Sequence, residues 1–129
     1  MTDFKLTPHF SFQEATRSHD HPGLVPENQL AARRLLPKLM LGAQLMETVR
    51  EILGVTIDVH SWYRGQALNK AIGGSMLSQH MKAEAIDWSE GGPDTYESVE
   101  ASFEKVTLEF ARRNVMFGQL TRDPWRYAV

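Results

Sequence analysis

Apolar positions recur along this chain with two different periods, and each change of period marks an element. Between Glu27 and Leu53, in a segment rich in Leu, Ala, Arg, Glu and Met, residues Leu39, Ala43, Met46, Val49 and Leu53 return at helical spacing, as one buried helix face requires. Pro37 lies inside this segment; its locked φ and missing N–H either kink a helix or start its second part. Gly54 reads as a C-terminal stop, and Val55–Val59 then alternates apolar and polar residues as a half-buried strand does. Thr95–Arg113 repeats the helical pattern, with Val99, Phe103, Val106 and Phe110 on one face.

Shorter signals fill in the remainder. Ser11-Phe12-Gln13-Glu14 fits a capping box and predicts a helix near 11–17. Arg17–Pro26 carries Ser, Asp, two His, Gly and two Pro and reads as a loop. Residues 65–72 (GQALNKAI) predict a short helix ended by Gly73-Gly74, and Ala83–Trp88 alternates like a strand, which leaves Ser78 and His80 on an irregular loop. The tail offers strands at Val115–Thr121 and Trp125–Val129 about a turn at Arg122-Asp123-Pro124. With no repeat, linker or low-complexity stretch, residues 1–129 read as one domain. Its class is α+β: a small, largely antiparallel sheet packed with two long helices.

Composition changes this picture mainly by exclusion. The chain has 129 residues, 42% hydrophobic and 23% charged, with no apolar run near the roughly 20 residues of a membrane span. Met1–Lys5 has neither a basic start followed by an apolar run nor a small-residue cleavage site, so no secretory signal is expected. A net charge of -2 without clustered Lys and Arg gives no case for nucleic acid. Because Cys is absent, any metal must be held by His and carboxylate.

Candidate chemistry gathers in the middle of the chain. His80 and Asp87 flank a loop-to-strand junction, and Arg64 follows another strand. A catalytic zinc site needs three protein ligands and an open position, and this pair supplies two. By residue type alone, such a His and Asp are more often solvated or hydrogen-bonded than metal-bound.

The pattern around them is more specific. Ser78, His80, Ala85 and Asp87, preceded by Ser61, Tyr63 and Arg64 and by Asn69, Gly73, Gly74 and Ser75, resemble the motifs of the zinc D-Ala-D-Ala carboxypeptidases and related phage endolysin peptidases, which share the Hedgehog-type fold. The likeness extends to the F-S-F-Q-E-A-T segment, the Glu47-Thr48-Val49-Arg50 helix end and the tail around Phe117–Tyr127. It implies that zinc is held by His80 and Asp87 and that Arg64 holds a substrate carboxylate or carbonyl, a task suited to the planar guanidinium fork. Ser78 and Gln79 would line the substrate groove or orient its loop. Trp62 stands where the family usually has Gly and is expected to wall part of that groove, while Trp88 and Trp125 are expected in the core.

The departures bear on activity. The family tail has the form E-x-x-x-W-x-H, giving the catalytic Glu and the third ligand His, whereas this chain reads Asp123-Pro124-Trp125-Arg126-Tyr127. No His follows His80. The catalytic carboxylate is either absent or replaced by Asp123, and Tyr127 occupies the ligand position; His60, or the His19/His21 pair, is the alternative source of a third imidazole. Ala83 also stands where the family has Gly. The resemblance thus implies a degenerate zinc-peptidase fold whose partners are bacterial peptidoglycan or other virion proteins, in a bacterial cytoplasm or a phage particle. Its alternative is an active zinc D,D-peptidase.

Overall fold

The capping box at Ser11 forms as its sequence requires. In this computed structural model, Ser11 Oγ accepts from the Glu14 N–H at 3.1 Å and the Glu14 carboxylate accepts from the Ser11 N–H at 3.0 Å. The structure describes residues 3–91, 96–115, 121–123 and 126–128, with side chains described for 3–91 and 100–115. The capped helix is α1 (Phe12–Thr16), entered from a hairpin of β1 (Lys5–Thr7) and β2 (Phe10–Ser11). It buries Phe12, Ala15 and Thr16 against the core.

Two prolines decide how the next helices begin. The expected loop is shorter than 17–26: a 3-10 turn at Pro22–Leu24 leads straight into α2 (Val25–Ala32), with Pro26 in its first turn. Proline is accepted there because the first N–H groups of a helix have no intrahelical partner. A second 3-10 turn, Arg33–Leu35, then joins α2 to α3 (Leu36–Leu53), which has Pro37 in its first turn. Of the two roles open to Pro37, starting the second part is the one observed. Gly54 ends α3 in the left-handed region (φ 68°), with its N–H donating to the Arg50 carbonyl at 2.8 Å.

The buried face of α3 is Leu39, Ala43, Met46, Val49 and Ile52. It packs in one core with Trp62, Ile86, Trp88, and Val106 and Phe110 of α5 (Tyr96–Arg113). Phe103 lies half-buried against the same core, whereas the Val99 side chain falls outside those described.

A four-stranded antiparallel sheet backs this core in the order β3 (Ile57–Ser61), β4 (Asp87–Glu90), β6 (Arg126–Ala128), β5 (Thr121–Asp123). The α+β class is as expected, but several bounds move. β3 starts at Ile57 rather than Val55, and β4 starts at Asp87 rather than Ala83. Ala83 is left-handed (φ 58°) and closes a 3-10 turn at Gln79–Lys82, so the chain cannot be extended there. In the tail, Arg122 and Asp123 belong to β5 rather than to a turn, because Arg122 pairs with Tyr127 and Asp123 with Arg126. Most of the expected 115–121 strand, and Trp125, lie outside the described residues.

At the β3 edge of the sheet, the Arg17 guanidinium donates to the Val59 carbonyl at 2.8 Å, and the Tyr63 N–H donates to the Ala15 carbonyl at 3.0 Å. No helix among the described residues is long and apolar enough to cross a membrane.

Candidate functional site

The site is assembled where β3 leaves the sheet. Trp62 follows that strand with its indole buried in the core, not in a groove wall as its sequence position implied. The room comes from Gly42 on α3: a Cβ there would stand 3.0 Å from Trp62 Cζ2 and 3.2 Å from Ile86 Cδ1. With the indole packed inward, the Trp62 carbonyl faces His80, whose Nδ1 lies 2.7 Å away. A carbonyl only accepts, so Nδ1 carries the proton and a neutral ring presents the Nε2 lone pair on its other side.

That Nε2 faces Asp87. The separation from Asp87 Oδ2 is 3.4 Å, longer than the roughly 2.7–2.9 Å of a charge-assisted hydrogen bond. Two donors each about 2.0–2.1 Å from a tetrahedral zinc stand about 3.3–3.4 Å apart. The pair therefore has the spacing of two ligands sharing one metal, and its second-sphere carbonyl is of the kind that orients metal-bound imidazoles. The two side chains are 12% and 27% exposed, so an ion can be reached from solvent.

Two donors are not a complete set. Among the described residues no group of three His, Cys, Asp or Glu side chains comes together. His60 instead places Nε2 2.5 Å from the Ser89 hydroxyl, and His19 and His21 sit on the connection before α2. The side chains of Asp123 and Tyr127 lie outside those described. Backbone register nevertheless pairs Asp87 with Ala128, and Tyr127 with Trp88.

Arg64 borders the pair and is held by the His80 turn. Its N–H donates to the His80 carbonyl at 3.1 Å, and its guanidinium donates to Ser78 Oγ at 3.0 Å. Burial pulls the guanidinium below its ordinary pKa, and the nearby Asp87 charge opposes that pull. Among the described residues the buried Arg64 Nε has no hydrogen-bond partner. Ser78 also caps the 3-10 turn by accepting from the His80 N–H at 3.2 Å. Its hydroxyl joins the arginine to the histidine, while the Gln79 side chain is exposed.

The loop before Ser78 hangs on Asn69, which is fully buried in α4 (Gln66–Ala71). Asn69 Nδ2 donates to the Ser75 carbonyl at 2.9 Å, and that carbonyl also accepts from the Ser78 N–H at 3.0 Å. A Cβ on Gly74 would lie 2.2 Å from Asn69 Oδ1. The Asn…Gly-Gly-Ser spacing is thus a steric requirement of the turn. On the far side, Lys38 of α3 reaches the Lys82 carbonyl at 3.3 Å and the Glu84 carboxylate at 3.7 Å.

Sequence reasoning missed Asn28. This residue of α2 is 3% exposed and donates from Nδ2 to the carbonyls of Thr16 and Tyr63, at 2.8 and 3.1 Å, while Oδ1 accepts from the Gly65 N–H at 2.6 Å. Its only signal was a short polar amide within a helix, where such residues are disfavoured unless they bond elsewhere.

An antiparallel sheet carrying an aspartate, beside a turn carrying a tautomer-fixed histidine and a half-buried arginine, has the outline of a metallopeptidase-type site. A model of the Peptidase M15 family matches residues 8–118, and the chain belongs to that family, of zinc D-Ala-D-Ala carboxypeptidases and related endolysin peptidases. The matched region stops short of β5 and β6. Comparisons with curated proteins and with solved structures gave no match.

Proposed function

We propose that residues 1–129 form one peptidase-like domain that binds bacterial peptidoglycan peptides and cleaves them poorly or not at all. The observation that carries this reading is the His80–Asp87 pair, set at metal-sharing distance, with Tyr127 at the position where the family has its third ligand. In this reading His80 and Asp87 hold zinc weakly, Arg64 receives a peptide carboxylate or carbonyl, and Ser78 and Gln79 border the peptide.

Magnitudes support impaired chemistry. A bound zinc supplies Lewis acidity and an activated water in such sites. Ionising a phenol of pKa about 10 at pH 7 costs about 4 kcal/mol before any metal compensates, so Tyr127 is a poor substitute for imidazole. Asp123 is the remaining carboxylate for proton transfer. It stands two residues beyond the family Glu position, which is Thr121 here, and is one methylene shorter; a misplacement of only about 1 Å already costs on the order of a hundredfold in rate. Use of the fold in a phage or prophage, with virion proteins as partners, belongs to the same proposal.

Metal analysis of protein purified without chelators, calorimetry with a synthetic peptide ending in D-Ala-D-Ala, and muropeptide digestion followed by mass spectrometry test it together. The expected result is weak or substoichiometric zinc, measurable peptide binding that Arg64→Ala abolishes, and negligible cleavage. Tight stoichiometric zinc, with cleavage lost in His80→Ala and Asp123→Ala, would instead establish an active D,D-peptidase. Absence of peptide binding to zinc-supplemented protein would remove peptidoglycan as the ligand.

A further inference from the structure

We infer that Asn28 is a positioning residue for Arg64, acting through the backbone on both sides of it. The 62–65 segment has left β3 and has not yet entered α4, so no ladder or helix fixes its direction. Asn28 does this instead. Its Nδ2 takes the carbonyl of the residue before Arg64 and its Oδ1 takes the N–H of the residue after. With Tyr63 N–H on Ala15 and Arg64 N–H on His80, the peptide groups around Arg64 are pinned to three separate elements.

Both ends of the Asn28 amide are used and buried, so its orientation is fixed. An amide flip would set its oxygen against the Thr16 and Tyr63 carbonyls and its NH2 against the Gly65 N–H. The fit is also close. A Cβ on Gly65 would lie 3.1 Å from Asn28 Oδ1 and 3.3 Å from the Tyr63 hydroxyl, which explains glycine directly after the arginine. A buried asparagine that only tied α1 to α2 would need the Thr16 bond alone. The two further bonds bracket Arg64, whose guanidinium donates to Ser78 at the start of the His80 turn.

The functional part of this inference rests on Arg64 receiving the peptide, so the experiment has an arm independent of that reading. In the full-length 15N-labelled protein, the Arg64 Nε–H resonance is assigned by its loss in Arg64→Lys. Asn28→Asp keeps the acceptor for Gly65 and loses both donors, while Gly65→Ala presses on the same contact from the other side. In each variant the Arg64 Nε–H should move towards the position of exposed arginines and exchange with water at least tenfold faster, with the His80 ring signals retained. Affinity for the D-Ala-D-Ala peptide should fall at least tenfold, and adding Arg64→Lys to Asn28→Asp should cost nothing more. An unmoved Arg64 resonance in a variant that melts cooperatively overturns the inference, as does failure of both variants to fold, which would make Asn28 a purely structural residue. If wild-type protein binds no peptide, the functional reading fails while the resonance still decides the role of Asn28.

Discussion

His80 and Trp62 meet through a ring nitrogen and a main-chain carbonyl 2.7 Å apart, and this contact turns the other nitrogen of His80 towards Asp87. Because the carbonyl belongs to a residue whose side chain is locked in the core, the orientation of the histidine depends on packing some distance away. Gly42→Ala puts a methyl 3.0 Å from the Trp62 ring. Overpacking of this kind costs about 1–3 kcal/mol, read from urea unfolding. The same variant should bind zinc less tightly in a chelator competition. A wild-type zinc affinity alongside reduced stability would disconnect Trp62 from the site.

Ala83 gives a case in which opposing effects nearly cancel. Its left-handed backbone (φ 58°) costs an L-residue about 1–2 kcal/mol, which Ala83→Gly would relieve. Against that stand about 0.4–1 kcal/mol of added chain entropy in the unfolded state and about 0.8 kcal/mol for one buried methyl. Ala83→Gly should therefore stay within about 1 kcal/mol of wild type, whereas the β-branched Ala83→Val should lose about 1–3 kcal/mol. Thermal melts of the two variants check the contrast; equal melting temperatures would contradict it.

Gly74 and Asn69 should behave as one unit. Gly74→Ala meets a buried amide that has nowhere to retreat, and the expected cost is about 1–3 kcal/mol. Asn69→Ala removes the obstacle but also the anchor of the Ser75 carbonyl. The double variant should thus be more stable than the sum of the single losses predicts, by about 1 kcal/mol or more. Strict additivity in the cycle would refute the steric account of the Gly-Gly turn.

Acid sensitivity has one identifiable source in the β1–β2 hairpin. Burial pushes the Glu47 carboxyl up, but hydrogen bonds from the His9 side chain and the His9 N–H, with the His9 charge, bring it below its ordinary 4.5. A carboxyl with a lowered folded pKa stabilises the protein above its unfolded pKa, and that contribution disappears as pH falls through the folded value. Glu47→Gln should lower stability at neutral pH by less than about 1 kcal/mol, since His9 is largely exposed. The difference from wild type should shrink as pH falls below the ordinary value of 4.5 and through the lowered folded one. Denaturation curves for both proteins across that range measure it, and a gap that widened in acid would reverse the assigned sign.

What could be read from the sequence was set by how local each cause is. The Ser11 capping box, the Gly54 stop and the helical faces through Met46 and Phe110 depend on neighbours within a few residues, and each forms. Strand limits do not: β4 begins at Asp87 because its pairing with Ser61 begins there, and alternation in Ala83–Trp88 carries no information about a partner strand. The site divides in the same way. Motif spacing singled out His80, Asp87 and Arg64, which the fold brings together. The Trp62 carbonyl, the Gly42 recess and the Asn28 bracket are contacts between distant segments, and no local pattern signals them.

The guanidinium of Arg17 on the Val59 carbonyl matters for more than the shape of one molecule. Among the described residues β3 is the outermost strand of its sheet, and an outermost strand offers unpaired main-chain groups to any neighbouring extended chain. Here a side chain occupies one of those groups and the stretch leaving α1 lies alongside. One main-chain acceptor on this edge is thereby already taken within the molecule, which leaves fewer groups there for another extended chain to pair with.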